Sequence, residues 1–165
     1  MINHKRIRYI AEAGIIAALY VVLCVIFAPI SYGEIQVRIA EALTILPIFT
    51  PAAIPGLVIG CLFANILGGG IVLDVIVGTL ATLIGAVGTY YLRNKTRWVA
   101  PLPPIIANTI LVPFVLYYGY GIKNFIPLMM ASVGIGEIIG AGVLGLILAF
   151  AIDKLPKKLF RKDSK

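Results

Sequence analysis

Three short clusters of basic residues divide an otherwise apolar chain, and their spacing limits the folds open to it more than any other feature. They are Lys5, Arg6 and Arg8; Arg93, Lys95 and Arg97; and Lys154, Lys157, Lys158, Arg161, Lys162 and Lys165. Of the 165 residues, 61% are hydrophobic and 13% charged, a balance that belongs in a bilayer rather than a soluble globular domain. In such a chain Lys and Arg collect in the cytoplasmic segments. With all three clusters on that side, the chain crosses an even number of times between Arg8 and Arg93, and again between Arg97 and Lys154.

The apolar runs decide which even numbers. A span needs roughly 20 residues, and the second interval has room for two, Pro101 to Tyr118 and Asn124 to Ile152, joined by YYGYGIKN. The first holds four separate runs: Ala11 to Ala28, Ile39 to Phe49, Ile54 to Leu67 and Ile71 to Leu92. The dividers APISYG, TPAAIPG and Gly68 to Gly70 are turn chemistry. The expectation is an all-α integral membrane protein of one domain over residues 1–165. Six transmembrane helices are predicted near 9–28, 39–49, 54–67, 71–92, 101–118 and 124–152, with both termini cytoplasmic. The two short runs must tilt or be covered by neighbouring helices. The first run reads as a retained helix rather than a cleaved signal, because it is long enough to span and Ile26 breaks an A-x-A pattern before Ala28.

Several function classes drop out. The net charge of +7 sits mostly in the three clusters, so the basic tail reads as an interfacial anchor and not as a nucleic-acid surface. There is no Walker phosphate loop, HExxH, GxSxG or Cys/His cluster, so the chain is expected to hydrolyse no ATP and to need no metal or cofactor. Cys24 and Cys61 read as small buried hydrophobes and His4 as a solvated side chain. An intramembrane enzyme using Glu34, Glu41, Asp74 or Glu137 as acid and base is the opposing class, but no nucleophile and base stand at close spacing.

The polar residues outside the clusters gather in few places. Pro29 to Pro47 holds Glu34, Gln36, Arg38 and Glu41, although a charge at the bilayer centre costs roughly 2.5–3.5 kcal/mol on insertion scales. Ser31 and Glu34 fit a capping box, which would put Glu34, Arg38 and Glu41 on one helical face. The alternation of Glu34, Gln36 and Arg38 with Ile35, Val37 and Ile39 instead fits an extended segment, and the preferred reading is a loop to about Arg38 with a helix from Ile39. The bland alternative is an interfacial ion pair of Glu34 and Arg38. Glu137 lies deep in SVGIGEIIGAG, where a carboxylate must pair, protonate or bind something; Asn108 and Arg38 are its candidate partners. Asn65 and Asp74 are weaker candidates, since both also suit helix ends at the interface. By the topology, all these groups gather in the outer half, with Tyr32, Tyr117, Tyr118 and Tyr120 beside them. In the first helix, Ala13 and Ala17, with Gly14 and Ala18, form overlapping small-xxx-small faces, suited to packing within the bundle or to a partner subunit.

The run APISYGEIQVRIAEALTILP, together with the hydropathy of most of the chain, resembles the QueT family, the queuosine-precursor branch of the S-components of energy-coupling factor (ECF) transporters. The resemblance implies a bacterial cytoplasmic-membrane binding subunit, served by a scaffold subunit and two ATPase subunits and docked through Ala13 and Ala17. The implied ligand is a deazaguanine-like base. On that implication Glu137 or Glu41 takes the donor edge, Asn108 or Gln36 the carbonyl edge, and Tyr32 or a loop tyrosine the ring. Glu34 and Arg38 would close the gate, and Asp74 or Glu34 would take an aminomethyl cation. The alternative is an S-component for another vitamin or nucleobase, or a stand-alone membrane enzyme or channel.

Overall fold

The computed structural model describes residues 4–28 and 38–155. Tyr32, Glu34 and Gln36, and the basic residues beyond Leu155, lie outside them. Among the described residues the chain is helical and has no strand, as a bilayer requires of backbone that must satisfy its own hydrogen bonds. We label six helices: α1 (His4–Ile26), α2 (Ile39–Ile48), α3 (Ala53–Leu67), α4 (Val72–Tyr91), α5 (Leu102–Phe114) and α6 (Ile126–Asp153). Four stretches, His4–Ile26, Val72–Asn94, Arg97–Gly119 and Ile126–Asp153, are long and apolar enough to cross a membrane; Ile39–Ile48 and Ala53–Leu67 are shorter.

The shortest helix is the central one. α2 packs against α1, α3, α4 and α6, and eight of its ten residues are buried, Glu41 and Thr44 among them. It is wound as a 3₁₀ helix, a form seldom sustained beyond three or four residues. At roughly 2.0 Å per residue it reaches about 20 Å, where ten α-helical residues would reach about 15 Å. Side chains three apart eclipse in this form, so Arg38 at the N-cap, Glu41 and Thr44 follow one stripe. Arg38 itself is extended (φ −86°, ψ 101°), which fits the extended reading at that residue and the start of the helix at Ile39.

α1 is peripheral, burying only Ala13, Ile16 and Tyr20. A Cβ placed on Gly56 of α3 would lie 2.8 Å from the Ala13 carbonyl oxygen, and one on Gly60 would lie 3.1 Å from the Ala17 Cα. The Ala13 and Ala17 face therefore packs on α3, as the within-bundle alternative for that face expects. The other small face is open: Gly14 has nothing within 4 Å and Ala18 is exposed. On α4, Gly85 and Gly88 likewise admit Pro104 and Pro103, which occupy the first turn of α5, where proline is tolerated.

The two ends of the bundle differ in chemistry. At one end the Thr50 hydroxyl donates to Glu12 (2.9 Å), Arg97 stacks on Phe49 (5.2 Å to the ring centroid), and Arg97 pairs with Asp153 at 3.1 Å. That end collects the start of α1 and the basic α4–α5 and α6 termini. The opposite end holds Arg38, the α3–α4 turn and the loop after α5. Gly69 turns there with φ +74°, a left-handed conformation natural to glycine. Two helices widen on the way to this end or near it: α5 continues as π-helix over Val115–Gly119, and α6 is π-helical over Ile138–Leu144. The long apolar run expected over 124–152 thus contains a local change of winding directly after Glu137, of the kind often found at functional sites.

Candidate functional site

Six helices and one loop send polar side chains to the end opposite the basic clusters. On α2, Glu41 is 1% exposed, and the Tyr20 hydroxyl of α1 donates to its Oε1 at 2.5 Å. The Thr44 hydroxyl, one 3₁₀ turn on, donates to the Glu41 carbonyl at 2.6 Å. On α3 the buried Asn65 amide donates to Cys61 Sγ at 3.5 Å. On α4 the buried Asp74 accepts from the Tyr120 hydroxyl at 2.9 Å. Asn108 of α5 and Glu137 of α6 are both buried and within hydrogen-bonding reach of each other.

Arg38 ties these groups together. Its charge is felt by Tyr20, Glu41, Cys61 and Asp74, and with Gly68, Gly69, Asp74, Val112, Val115, Leu116, Tyr120 and Ile122 it lines a cavity of about 270 Å³. The cavity is close to the lower bound of roughly 300 Å³ for small-molecule sites. Glu137 begins 11 residues into α6, roughly 16 Å along the axis, and helical side chains lean toward the N-terminus, which here is the cavity end. A Cβ on Gly140, three residues on, would stand 2.7 Å from the Arg38 carbonyl oxygen and 3.5 Å from the Glu41 Cβ. The absence of a side chain there lets α6 close onto α2, bringing Glu137 and Glu41 into one charged neighbourhood.

The cluster is incomplete. Glu41 Oε2 and Glu137 Oε2 are buried with no hydrogen-bond partner among the described residues. Buried polar atoms are rarely left so, and each costs about 1–3 kcal/mol while unmet. Asn108 meets only part of the need of Glu137, so the bland reading of that residue as a satisfied core carboxylate is insufficient. Asn65 and Asp74, weak candidates as interfacial helix ends, are buried and join the group. Of the aromatic residues expected nearby, Tyr120 holds Asp74, whereas Tyr117 and Tyr118 pack edge to face on each other and Tyr118 is exposed. Sequence reasoning missed Tyr20: one tyrosine in an apolar helix looks like lipid-facing surface, and only its spacing from Ala13 and Ile16 along the buried face marks it. Among the described residues no group of three His, Cys, Asp or Glu side chains is arranged to hold a metal ion.

Residues 10–154 match the QueT transporter family. The chain belongs to that family. Over 77 residues it is 43% identical to the queuosine precursor transporter QueT of Lactococcus lactis subsp. cremoris (strain MG1363), a match covering 46% of this chain and 45% of that relative's length. No solved structure matches. Membership of the QueT transporter family, with four helices long and apolar enough to span, makes the chain a multi-pass protein of the cell membrane, and the polar cluster is where this QueT-family member has room and unmet hydrogen-bonding groups for a small molecule.

Proposed function

We propose that the chain is the substrate-binding S-component of an ECF-type importer and captures a 7-deazaguanine precursor of queuosine at the Arg38 end. This end faces outside, and the basic end, with both termini, faces the cytoplasm. The observation that carries the reading is the pair of unmet carboxylate oxygens on Glu41 and Glu137 beside the Asn108 amide and Arg38. A guanine-like edge presents an N–H, an amino group and a carbonyl. Its donors suit a carboxylate and its carbonyl suits an amide or guanidinium. Glu137 takes the donor edge with Glu41 as the second acceptor, Asn108 takes the carbonyl, and Arg38, Asn65 and Asp74 form the wall toward the outside. Tyr120 covers the ring.

A scaffold subunit and two ATPases supply the energy, and α1 is the docking helix. Its free register is Gly14 and Ala18, not Ala13 and Ala17. Purified protein should bind a 7-deazaguanine base and carry one through purification, detectable by mass. Uptake in reconstituted vesicles should require the scaffold, the ATPases and ATP. A folded preparation that binds no deazaguanine, or that transports one unaided, defeats the reading.

A further inference from the structure

The two ends of α2 are anchored to different parts of the molecule. Arg38 and Glu41 stand at the ligand end, while Phe49 and Thr50 follow its last residue at the basic end. Ile45 and Ile48 of α2, with Phe49, share one apolar cluster with Ala100 and with Ala149 of α6. The Ala100 carbonyl accepts from the Thr89 hydroxyl of α4 at 2.9 Å, so this cluster grips the turn that joins α4 to α5. The Phe49 ring lies under the Arg97 guanidinium of the same turn. The Thr50 hydroxyl donates to Glu12, which stands two residues before Gly14 on α1. One helix thus runs from the ligand groups to the α4–α5 turn and α1, about 20 Å away along its axis.

We infer that α2 is a strut that carries ligand occupancy from the Arg38 end to the basic end, so that loaded and empty protein present a different α4–α5 turn and a different α1 to a partner. The inference rests on the substrate-binding reading above and adds how occupancy is read on the opposite face. A ligand shifts a conformational equilibrium only if it binds the two positions unequally; a base held between α2 and α6 does so, since it reaches Glu41 only with α2 drawn against it. Eight of the ten α2 residues are buried, and a close-packed interior transmits strain instead of absorbing it. Pro47 would clash with the Leu43 carbonyl in an α-helix, so the half of α2 nearer Phe49 resists relaxing to the wider winding. α6 is the opposite case. Between Glu137 and Asp153 it is π-helical over Ile138–Leu144, a winding at which helices bend, so a shift of Glu137 is taken up there before it reaches Asp153.

Trp98, the single tryptophan of the chain, is a reporter already in place. It follows Arg97 in the α4–α5 turn, is 69% exposed and meets Phe150 edge to face at 5.8 Å, at the end of the bundle that a base at Arg38 does not touch. The whole chain in detergent is titrated with 7-aminomethyl-7-deazaguanine, or with 7-cyano-7-deazaguanine should the first not bind. Heat and Trp98 emission are followed together, with N-acetyltryptophanamide correcting for light absorbed by the base. The emission should shift and saturate along the calorimetric curve. Phe49→Leu, which removes the ring under Arg97, should shrink the shift and keep the calorimetric affinity, whereas Asp153→Asn, which loosens Arg97 from α6 alone, should keep both. Heat of binding with no Trp98 shift overturns the inference and leaves the substrate reading standing. So does a shift undiminished in Phe49→Leu, or one lost in Asp153→Asn, which would route the signal through α6. If neither base binds folded wild-type protein, the substrate reading fails and the strut loses its input. Phe49→Met, which refills the space without a ring, replaces the leucine variant if that one does not fold.

Discussion

Adding one methyl group at position 140 tests how Arg38 is seated. The new Cβ of Gly140→Ala would meet the Arg38 carbonyl at 2.7 Å, whereas that of Gly142→Ala would meet Ile105 at an ordinary 3.6 Å. Overpacking of this kind costs about 1–3 kcal/mol, so G140A should lower the melting temperature in detergent and weaken ligand binding, while G142A should change neither. A G140A protein that melts and binds like wild type would show that α6 does not press on α2. Tyr20→Phe is a second probe: it strips Glu41 Oε1 of its donor and leaves that carboxylate with no side-chain hydrogen-bond donor among the described residues. The cost should be about 1–3 kcal/mol of stability, read by chemical denaturation and partly recovered when a ligand with hydrogen-bond donors is added. Which residues would meet was largely legible from charge at apolar depth: Arg38, Glu41, Asn65, Asp74, Asn108 and Glu137 stand out because so little else in their runs is polar. Tyr20 and the sulfur of Cys61 were not legible, since neither residue type is out of place in an apolar helix. Their roles follow from the three-dimensional approach of α1 and α3 to α2.

At the scale of helices, α1 has two small-residue stripes one residue apart in register, and nothing in its own sequence says which is covered. The answer lies in the partner: Gly56 and Gly60 of α3 repeat the four-residue spacing and receive the Ala13 and Ala17 side of α1. This separates two effects in one pair of variants. Gly60→Leu should prevent α1 from seating and destabilise the protein, seen as loss of monodisperse material on size exclusion. Gly14→Leu, with open space around it, should leave stability and ligand binding unchanged yet abolish ATP-driven uptake if this face meets a scaffold. Full uptake by G14L would remove the docking assignment. The winding of α2 was likewise hidden, because a ten-residue apolar stretch containing Pro47 fits three or 3.6 residues per turn about equally well. The difference matters, as only the tighter winding stacks Arg38, Glu41 and Thr44 in one line.

For the whole molecule, the parity argument puts the three basic clusters on one side, and the pairing of Arg97 with Asp153 brings the second cluster beside the Lys154 end of α6. Impermeant maleimide labelling can assign the sides. In a background lacking Cys24 and Cys61, Tyr118→Cys should label in intact cells and Lys95→Cys only after permeabilisation; the reverse would invert the orientation. The Arg97–Asp153 pair is partly exposed, so Asp153→Asn should cost no more than about 1 kcal/mol. The chain order of the polar groups carries a further consequence, for synthesis. Tyr20 leaves the ribosome before the other polar groups and Glu137 after them, so a nascent chain with the first five helices made still lacks one wall of the pocket. Ligand added during translation should therefore shield only completed molecules from protease, making bound cargo a mark of finished assembly.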